Sequence, residues 1–246
     1  QTASSAENAR LSLAVINREA VEAQLQGLRG TNAGVLLLCA DEALAARVAE
    51  GCDALDLPLY TVAGRLSGRS GVQESGGEVG RKAVQYLQSV GCTDALFLHD
   101  GSESAVERLI GARECWPELL EYLWTEGTEP DGAVFEAALA RRATLVALDD
   151  STTLRLTDMR RSGVLPVDVS IVGTDPGAER AAYLEQGIVS ALLLPDPYAM
   201  GYAGTQAFLK ELDGTDEHGQ TLIDPVLVTR QNLYNAEIVR CIFPLL

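Results

Sequence analysis

The chain has 246 residues, 47% apolar and 22% charged, which is enough for two separate hydrophobic cores. Its formal charge of −16, from 35 acids against 19 bases, repels phosphate backbones and speaks against direct nucleic-acid binding. No run approaches the ~20 uninterrupted apolar residues of a membrane-spanning helix.

Apolar runs of strand length alternate with helical patterns along the chain. LSLAVIN (11–17) is expected to form a strand ahead of the helix-like REAVEAQLQGLRG. GVLLLC (34–39) precedes DEALAARVAEGCDAL, and PLYTVA (58–63) leads through a Gly/Ser-rich loop into GEVGRKAVQYLQSVG. DALFLHD (94–100), LLEYLWT (119–125), ATLVALDD (143–150), VSIVGTD (169–175) and SALLLP (190–195) each precede a further helical pattern. Unbroken apolar strands are buried on both faces, so the β-α-β-α order predicts parallel sheets. Gly30, Gly91, Gly163, Gly187 and Gly214 stand where helices end, the place for a left-handed cap. Eight such units fit one closed barrel or two open sheets side by side, and periodicity does not choose between them.

Asp100, Asp149, Asp150 and Asp175 all fall where a parallel strand hands over to its helix. That carboxyl edge binds ligands in open α/β sheets and in barrels alike. Catalysis has little support. There is no nucleophile elbow, phosphate loop or metal-spaced cluster, His99 and His218 are the only histidines, and GGEVG (76–80) is too loose for a dinucleotide site. No cofactor is called for. Cys39, Cys52, Cys92, Cys115 and Cys241 are scattered; Cys39 and Cys241 sit in apolar runs and read as small buried hydrophobes. An odd, dispersed count argues for a reducing compartment, while the polar start at Gln1 would equally suit a mature exported chain.

Taken together, several segments resemble the type 1 periplasmic solute-binding fold, shared by sugar-transport receptors and the effector domains of LacI-type repressors. They are GLRGTNAGVLLL, GGEVGRKAVQYL, RLIGA (108–112), ALDDSTTLRLTDMRRSGV, VSIVGTDP, EQGIVSALLLPDPYAMGYAGTQAFLKELDG and LVTRQN (227–232). The match runs from about residue 11 to 235 and is nearest the sugar-receptor branch. It implies an α/β architecture of two lobes, each a parallel sheet flanked by helices, joined by three hinge crossovers with the ligand clasped in the cleft. The strand before Pro195 would return the chain to the hinge, and the helix from Tyr198 would re-enter the first lobe. On this basis residues 1–101, 196–215 and 236–246 are assigned to the first lobe, and 102–195 with 222–232 to the second.

The resemblance also nominates ligand contacts. Arg108 matches an arginine that bonds ligand oxygens, or else makes an ion pair with Glu107 or Glu103. Asp149-Asp150 and Asp175 match ligand-bonding positions, with plain helix capping as the competing role. Arg65 lies one step beyond the Ala63-Gly64 that replaces the receptors' Asp-Arg. Other contacts are missing: Pro195 replaces a glutamine and Ser75 an aspartate. Aromatic residues are only 5% of the chain, and Trp116 and Trp124 read as packing residues rather than sugar platforms.

The resemblance starts at the family's second strand, and the chain runs past its usual end with NAEIVRCIFPLL. Residues 238–246 are therefore expected to fill the vacant first-strand slot, as a circular permutation would, unless they pack elsewhere as a hydrophobic tail. Three functions follow. The first is a non-catalytic module that binds or senses a small polar ligand, sugar-like or cationic, by cleft closure, with a membrane transporter or sensor as partner and an extracytoplasmic location. The second is the dimeric effector domain of a LacI-type regulator. The third is a degenerate member serving as an interaction scaffold.

Overall fold

In the computed structural model, which describes residues 10–39, 41–64, 66, 68–125, 127–128, 132–175, 177–215 and 219–242, the alternation read from the sequence becomes two separate sheets. In chain order the elements are α1 (Val21–Leu28), β1 (Val35–Leu38), α2 (Glu42–Ala54), β2 (Leu59–Val62), β3 (Gly71–Glu74), α3 (Gly76–Ser89), β4 (Ala95–His99), α4 (Glu103–Cys115) and β5 (Leu120–Leu123). They continue with α5 (Gly132–Arg141), β6 (Thr144–Ala147), α6 (Asp150–Arg161), β7 (Ile171–Gly173), α7 (Arg180–Glu185) and β8 (Ala191–Leu194). The last are α8 (Pro197–Leu212), β9 (Gln220–Ile223), β10 (Val226–Thr229) and α9 (Ala236–Ile242).

The first unit comprises residues 1–74 and 197–223. Its four strands run parallel in the order β1-β2-β3-β9. Side chains alternate across it as the pleat requires. Leu37 and Leu59 join Val21, Leu25, Val48 and Cys52 beneath α1 and α2, while Tyr60 and Val72 meet Met200 and Phe208 of α8. LYTV is buried on both faces, whereas in VLLL only Leu37 is fully buried and Leu38 faces solvent.

The second unit comprises residues 75–196 and 224–246 and holds a sheet of order β10-β8-β7-β6-β4-β5, parallel except for β10. Leu96, Leu98, Leu145, Ala147, Ile171, Leu192 and Leu194 face one core. Phe97, Val146, Leu148, Val172 and Leu193 face the other, under α3 and α4. Those two helices touch backbone to backbone: a Cβ on Gly80 would come within 1.8 Å of the Arg108 carbonyl oxygen, and one on Gly111 within 2.0 Å of the Gly77 oxygen. Gly91 and Gly187 close their helices at φ of 72° and 70°, as the sequence led one to expect.

Four expectations are corrected. The two open sheets exclude the barrel alternative. Residues 75–101 sit in the second unit rather than the first lobe, because α3 packs on α4 and β4 pairs with both β5 and β6. The chain passes between units after Glu74, Asp196 and Ile223, and the second passage falls in the Pro-Asp-Pro of the SALLLPDPY segment. The tail, as far as Ile242, does not fill a strand slot in the first unit. Its described part is the helix α9, whose Ile238, Cys241 and Ile242 recur at helical spacing, with Ile238 and Ile242 packed beside Val228 and Leu233 in the second unit. Residues 243–246 lie outside the described residues. Finally, 11–17 has no regular structure, while β3 and β9, unforeseen in the sequence, are strands of the first sheet.

All five cysteines are free, Cys241 fully buried and Cys39 half-buried. Among the described residues no helix is long and apolar enough to cross a membrane.

Candidate functional site

In the second unit β4 is flanked by β5 on one side and by β6, β7 and β8 on the other, so the direction of winding reverses between β4 and β6. At such a reversal the loops leaving the two strands diverge and open a crevice at the carboxyl edge. The first unit has no reversal among β1, β2 and β3, which follow in order. The second unit's carboxyl edge is therefore the candidate site, and four of the five nominated residues lie there. Arg65 lies outside the described residues.

Asp149, at the end of β6, caps α6. Its carboxylate accepts from Thr152 N at 2.7 Å, Thr152 Oγ1 at 2.9 Å and Ser151 Oγ at 2.8 Å. It also accepts from Asp100 N at 2.9 Å, which pins the start of the β4 loop to the start of α6 across the reversal. With both oxygens doubly engaged and the residue buried, Asp149 shapes the crevice rather than facing it.

Asp150 is disposed differently. Its Oδ1 accepts from Thr174 Oγ1 at 2.7 Å and Asp175 N at 3.2 Å, joining α6 to the end of β7. The residue as a whole is exposed, yet protein packed around its carboxyl group raises its pKa. The Thr174 hydrogen bond and the Arg108 charge oppose that rise, and the Asp175 charge adds to it. Arg108 and Asp175 are thus each near enough to Asp150 for their charges to act on it.

Asp175 accepts from Gly177 N at 2.8 Å and from Arg180 Nη1 at 3.0 Å, in a half-buried pair. Arg108 projects from α4, and its Nη1 donates to the Leu148 carbonyl at 2.9 Å at the tip of β6. Glu107 turns its carboxylate over the start of α3, where a Cβ on Gly76 would come within 2.9 Å of it. An acid at a helix N-terminus is well placed there.

The structure adds residues that the sequence reading did not nominate. Thr153 Oγ1 accepts from Thr174 N at 3.0 Å, and glycine at 173 leaves room for it, since a Cβ there would come within 2.5 Å of the Thr153 methyl carbon. Hydroxyls at strand ends carry no distinguishing sequence signal. Arg180 neutralises Asp175 from five residues on, a spacing that could have suggested the pair. His99 ends β4 two residues after Phe97 and so faces the same α3–α4 layer from which Arg108 reaches Leu148. It is buried, and among the described residues its Nδ1 meets no hydrogen-bond partner, an arrangement that costs free energy until something bonds to it.

Both tryptophans are packing residues. Trp124 is buried under the Arg155 guanidinium, 3.6 Å from its ring centroid, and Trp116 meets Phe97 edge-on. Among the described residues no group of three or more His, Cys, Asp or Glu is placed to hold a metal ion. A cavity of about 570 Å³ opens in the first unit between Asp53, Asp56, Arg69 and Glu211, at the amino end of β2 and β3 and so on the edge opposite to the one where α/β sheets bind ligands.

Neither a protein-family model nor a curated protein sequence matches the chain. Solved structures do. A mutant XylFII–LytSN complex matches with a TM-score of 0.68 at 13% identity, over 88% of this chain and 84% of that one. A periplasmic ABC-transporter solute-binding protein from Actinobacillus succinogenes with bound D-allose matches with 0.67 at 15% identity, over 95% and 92%. A LacI-type transcriptional regulator, so described, from Bacteroides fragilis matches with 0.58 at 16% identity, over 88% and 82%. At such identities the likeness shows the fold: this chain has the two-lobed type 1 periplasmic-binding architecture, its parallel sheets flanked by helices.

Proposed function

We propose that the chain is a non-catalytic module that binds a small polar solute, a sugar-like polyol or an amine, at the carboxyl edge of the second unit. The observation that carries this reading is the gathering of Arg108 and Asp175 around Asp150 near the β4/β6 reversal, with the buried His99 ending β4. Pre-placed carboxylate, guanidinium and imidazole groups offset the desolvation of hydroxyls, as a polyol site requires. Asp100, Asp149, Asp150 and Asp175 outnumber Arg108 and Arg180 at this edge, which favours neutral or cationic solutes over anions. Neighbours of the same fold support it, since those from Actinobacillus succinogenes and Agrobacterium vitis hold D-allose and D-fucose. The Actinobacillus neighbour is periplasmic, and on this reading the present chain also works outside the cytoplasm, delivering its solute to a membrane transporter or sensor.

A thermal-shift and calorimetric screen against sugars, polyols, nucleosides and amines tests the reading. A solute at 100 times its Kd stabilises the folded chain by about 2.7 kcal/mol. The shift should shrink in Arg108→Ala and Asp150→Asn. Absence of any shift across the screen, or shifts indifferent to both substitutions, would overturn the assignment.

A second reading, a degenerate member serving as an interaction scaffold in which protein contacts replace the solute, is favoured by one surface. Val106 and Ile110 on α4, Leu120 and Leu123 on β5 and Val134 on α5 are all exposed around the edge of the second sheet. This reading predicts an intact fold with no thermal response to any solute.

A further inference from the structure

We propose that the first-unit cavity at the amino end of β2 and β3 binds a small organic cation, an ammonium group carried on an apolar body. The site is independent of the solute reading above. It belongs to the first unit alone, on the strand edge opposite to the one where α/β sheets take their usual ligands.

The cavity measures about 570 Å³, within the range of small-molecule sites. Its lining comes from the end of α2 and the turn after it, the residues ahead of β3, and the last turn of α8. The backbone is tied down in these places: Leu57 N donates to Cys52 O at 2.9 Å, and Gln220 Nε2 donates to Arg69 O at 2.7 Å. Walls held before a ligand arrives cost little to order on binding. The lining is of two kinds. Cys52, Leu57 and Leu59 are buried in the core beneath α1 and α2, and Leu212 packs against the core around Tyr60 and Phe208. Asp53 and Asp56 are exposed and Glu211 is half-buried. The concave surface thus offers an apolar wall with an acidic rim. Burial, and after it the Asp53 charge, push the Cys52 thiol up against the opposing Arg69 charge, so the wall presents no thiolate.

Charge names the ligand. The lining residues supply three carboxylates, Asp53, Asp56 and Glu211, against one guanidinium, Arg69, which pairs with Asp53. All three acids also stand where helix dipoles are negative. Asp53 lies in the last turn of α2, Asp56 two residues beyond its end, and Glu211 in the last turn of α8. A helix C-terminus favours cations, yet α2 has no basic residue in its last turn, and Lys210 of α8 does not line the cavity. An ammonium group at the rim would meet both the carboxylates and the dipoles, and a carbon body would cover the apolar wall. A bare metal ion suits the place less well, since among the described residues no group of three or more His, Cys, Asp or Glu is placed to hold one.

Calorimetry of the full chain with phenethylamine, phenethyl alcohol and hydrocinnamate at one ionic strength tests this, with amide chemical shifts mapping the contacts. The amine should bind and shift amides at 52–59, 68–70 and 211–212, and the alcohol and the carboxylate should bind at least about threefold more weakly. The double variant Asp56→Asn, Glu211→Gln should raise the amine Kd by at least about threefold. Neither position is buried, and asparagine suits the left-handed backbone at Asp56, whose φ is 53°. Arg108→Ala, which removes a group of the candidate solute site in the second unit, should leave the amine Kd unchanged. An amine that depends on Arg108 belongs to the solute site and overturns this proposal while supporting that reading. No binding up to about 20 mM, equal binding of the three probes, or a Kd indifferent to the double variant would overturn the proposal and leave the solute reading standing.

Discussion

Replacing Gly80 by alanine should force α3 away from α4 and disconnect Arg108 from β6. The new Cβ would lie 1.8 Å from the Arg108 carbonyl oxygen and 2.5 Å from the Ala112 nitrogen, both backbone atoms that no rotamer change can move aside. Restoring even a 3.0 Å contact takes about 1.2 Å of helix separation, in an interior packed like a crystal. Overpacking costs about 1–3 kcal/mol when side chains can yield, so a clash with backbone belongs at or above the top of that range. Alanine's better helix propensity returns about 1 kcal/mol, leaving a net loss of about 2 kcal/mol or more. For a chain of this size that lowers the second unit's unfolding temperature by roughly 4–8 °C. A separation of that size also breaks the 2.9 Å bond from Arg108 Nη1 to Leu148, so any solute response should weaken with it. Differential scanning calorimetry reads the transition, and Gly201→Ala is the control. Gly201 lies within α8 with nothing within 4 Å of a Cβ, so alanine there should stabilise by about 0.5–1 kcal/mol. If Gly80→Ala melts within a degree of the wild type, the close approach of the two helices is not as described and the reasoning fails.

Three further outcomes can be checked. Asp149→Ala removes the α6 cap and leaves Asp100 N without its acceptor, and should cost about 2–3 kcal/mol in urea unfolding; a loss below 0.5 kcal/mol, the scale of an ordinary surface substitution, would contradict its structural role. Asp150 has a raised folded-state pKa, so its contribution to stability is fully present below the ordinary carboxylate value and is lost as pH rises through the raised one. Asp150→Asn does not titrate, so its melting temperature relative to wild type should climb between about pH 3 and pH 7, and a flat difference would refute the raised pKa. Phe97→Ala empties a fully buried site between α3, α4 and the sheet and should cost about 3–5 kcal/mol by the same urea assay, whereas a loss under 2 would mean that the core collapses around the gap.

Much of the candidate site was legible in advance because strand ends are marked locally. A buried apolar run stopped by an acid before a helical pattern places that acid at the carboxyl edge, and Asp149, Asp150 and Asp175 all stand there. What each acid does was not legible. Asp149 and Asp150 are adjacent and chemically identical, yet one is consumed by capping bonds and an amide from β4, and the other reaches across to β7. The partners that separate them, Asp100 N and Thr174 Oγ1, come from loops 49 and 24 residues away in the chain.

The sequence by itself determined the class of structure: the two-sided apolar runs, the helical periods between them and the glycine caps act over a few residues and need no distant partner to be expressed. Tertiary structure alone decided which sheet each run joined and whether it became a strand at all. LSLAVIN has the composition of a strand but pairs with none and stays irregular, whereas the less apolar Gly71–Glu74 and Gln220–Ile223 become strands because each lies in register against a neighbour, β3 on β2 and β9 on β3. A helix closes its hydrogen bonds within itself, while a strand depends on a neighbour supplied from elsewhere in the chain. That dependence is why most helices were readable, α9 excepted, while the sheet memberships were not, and why the boundary between the units fell at Glu74 rather than at residue 101.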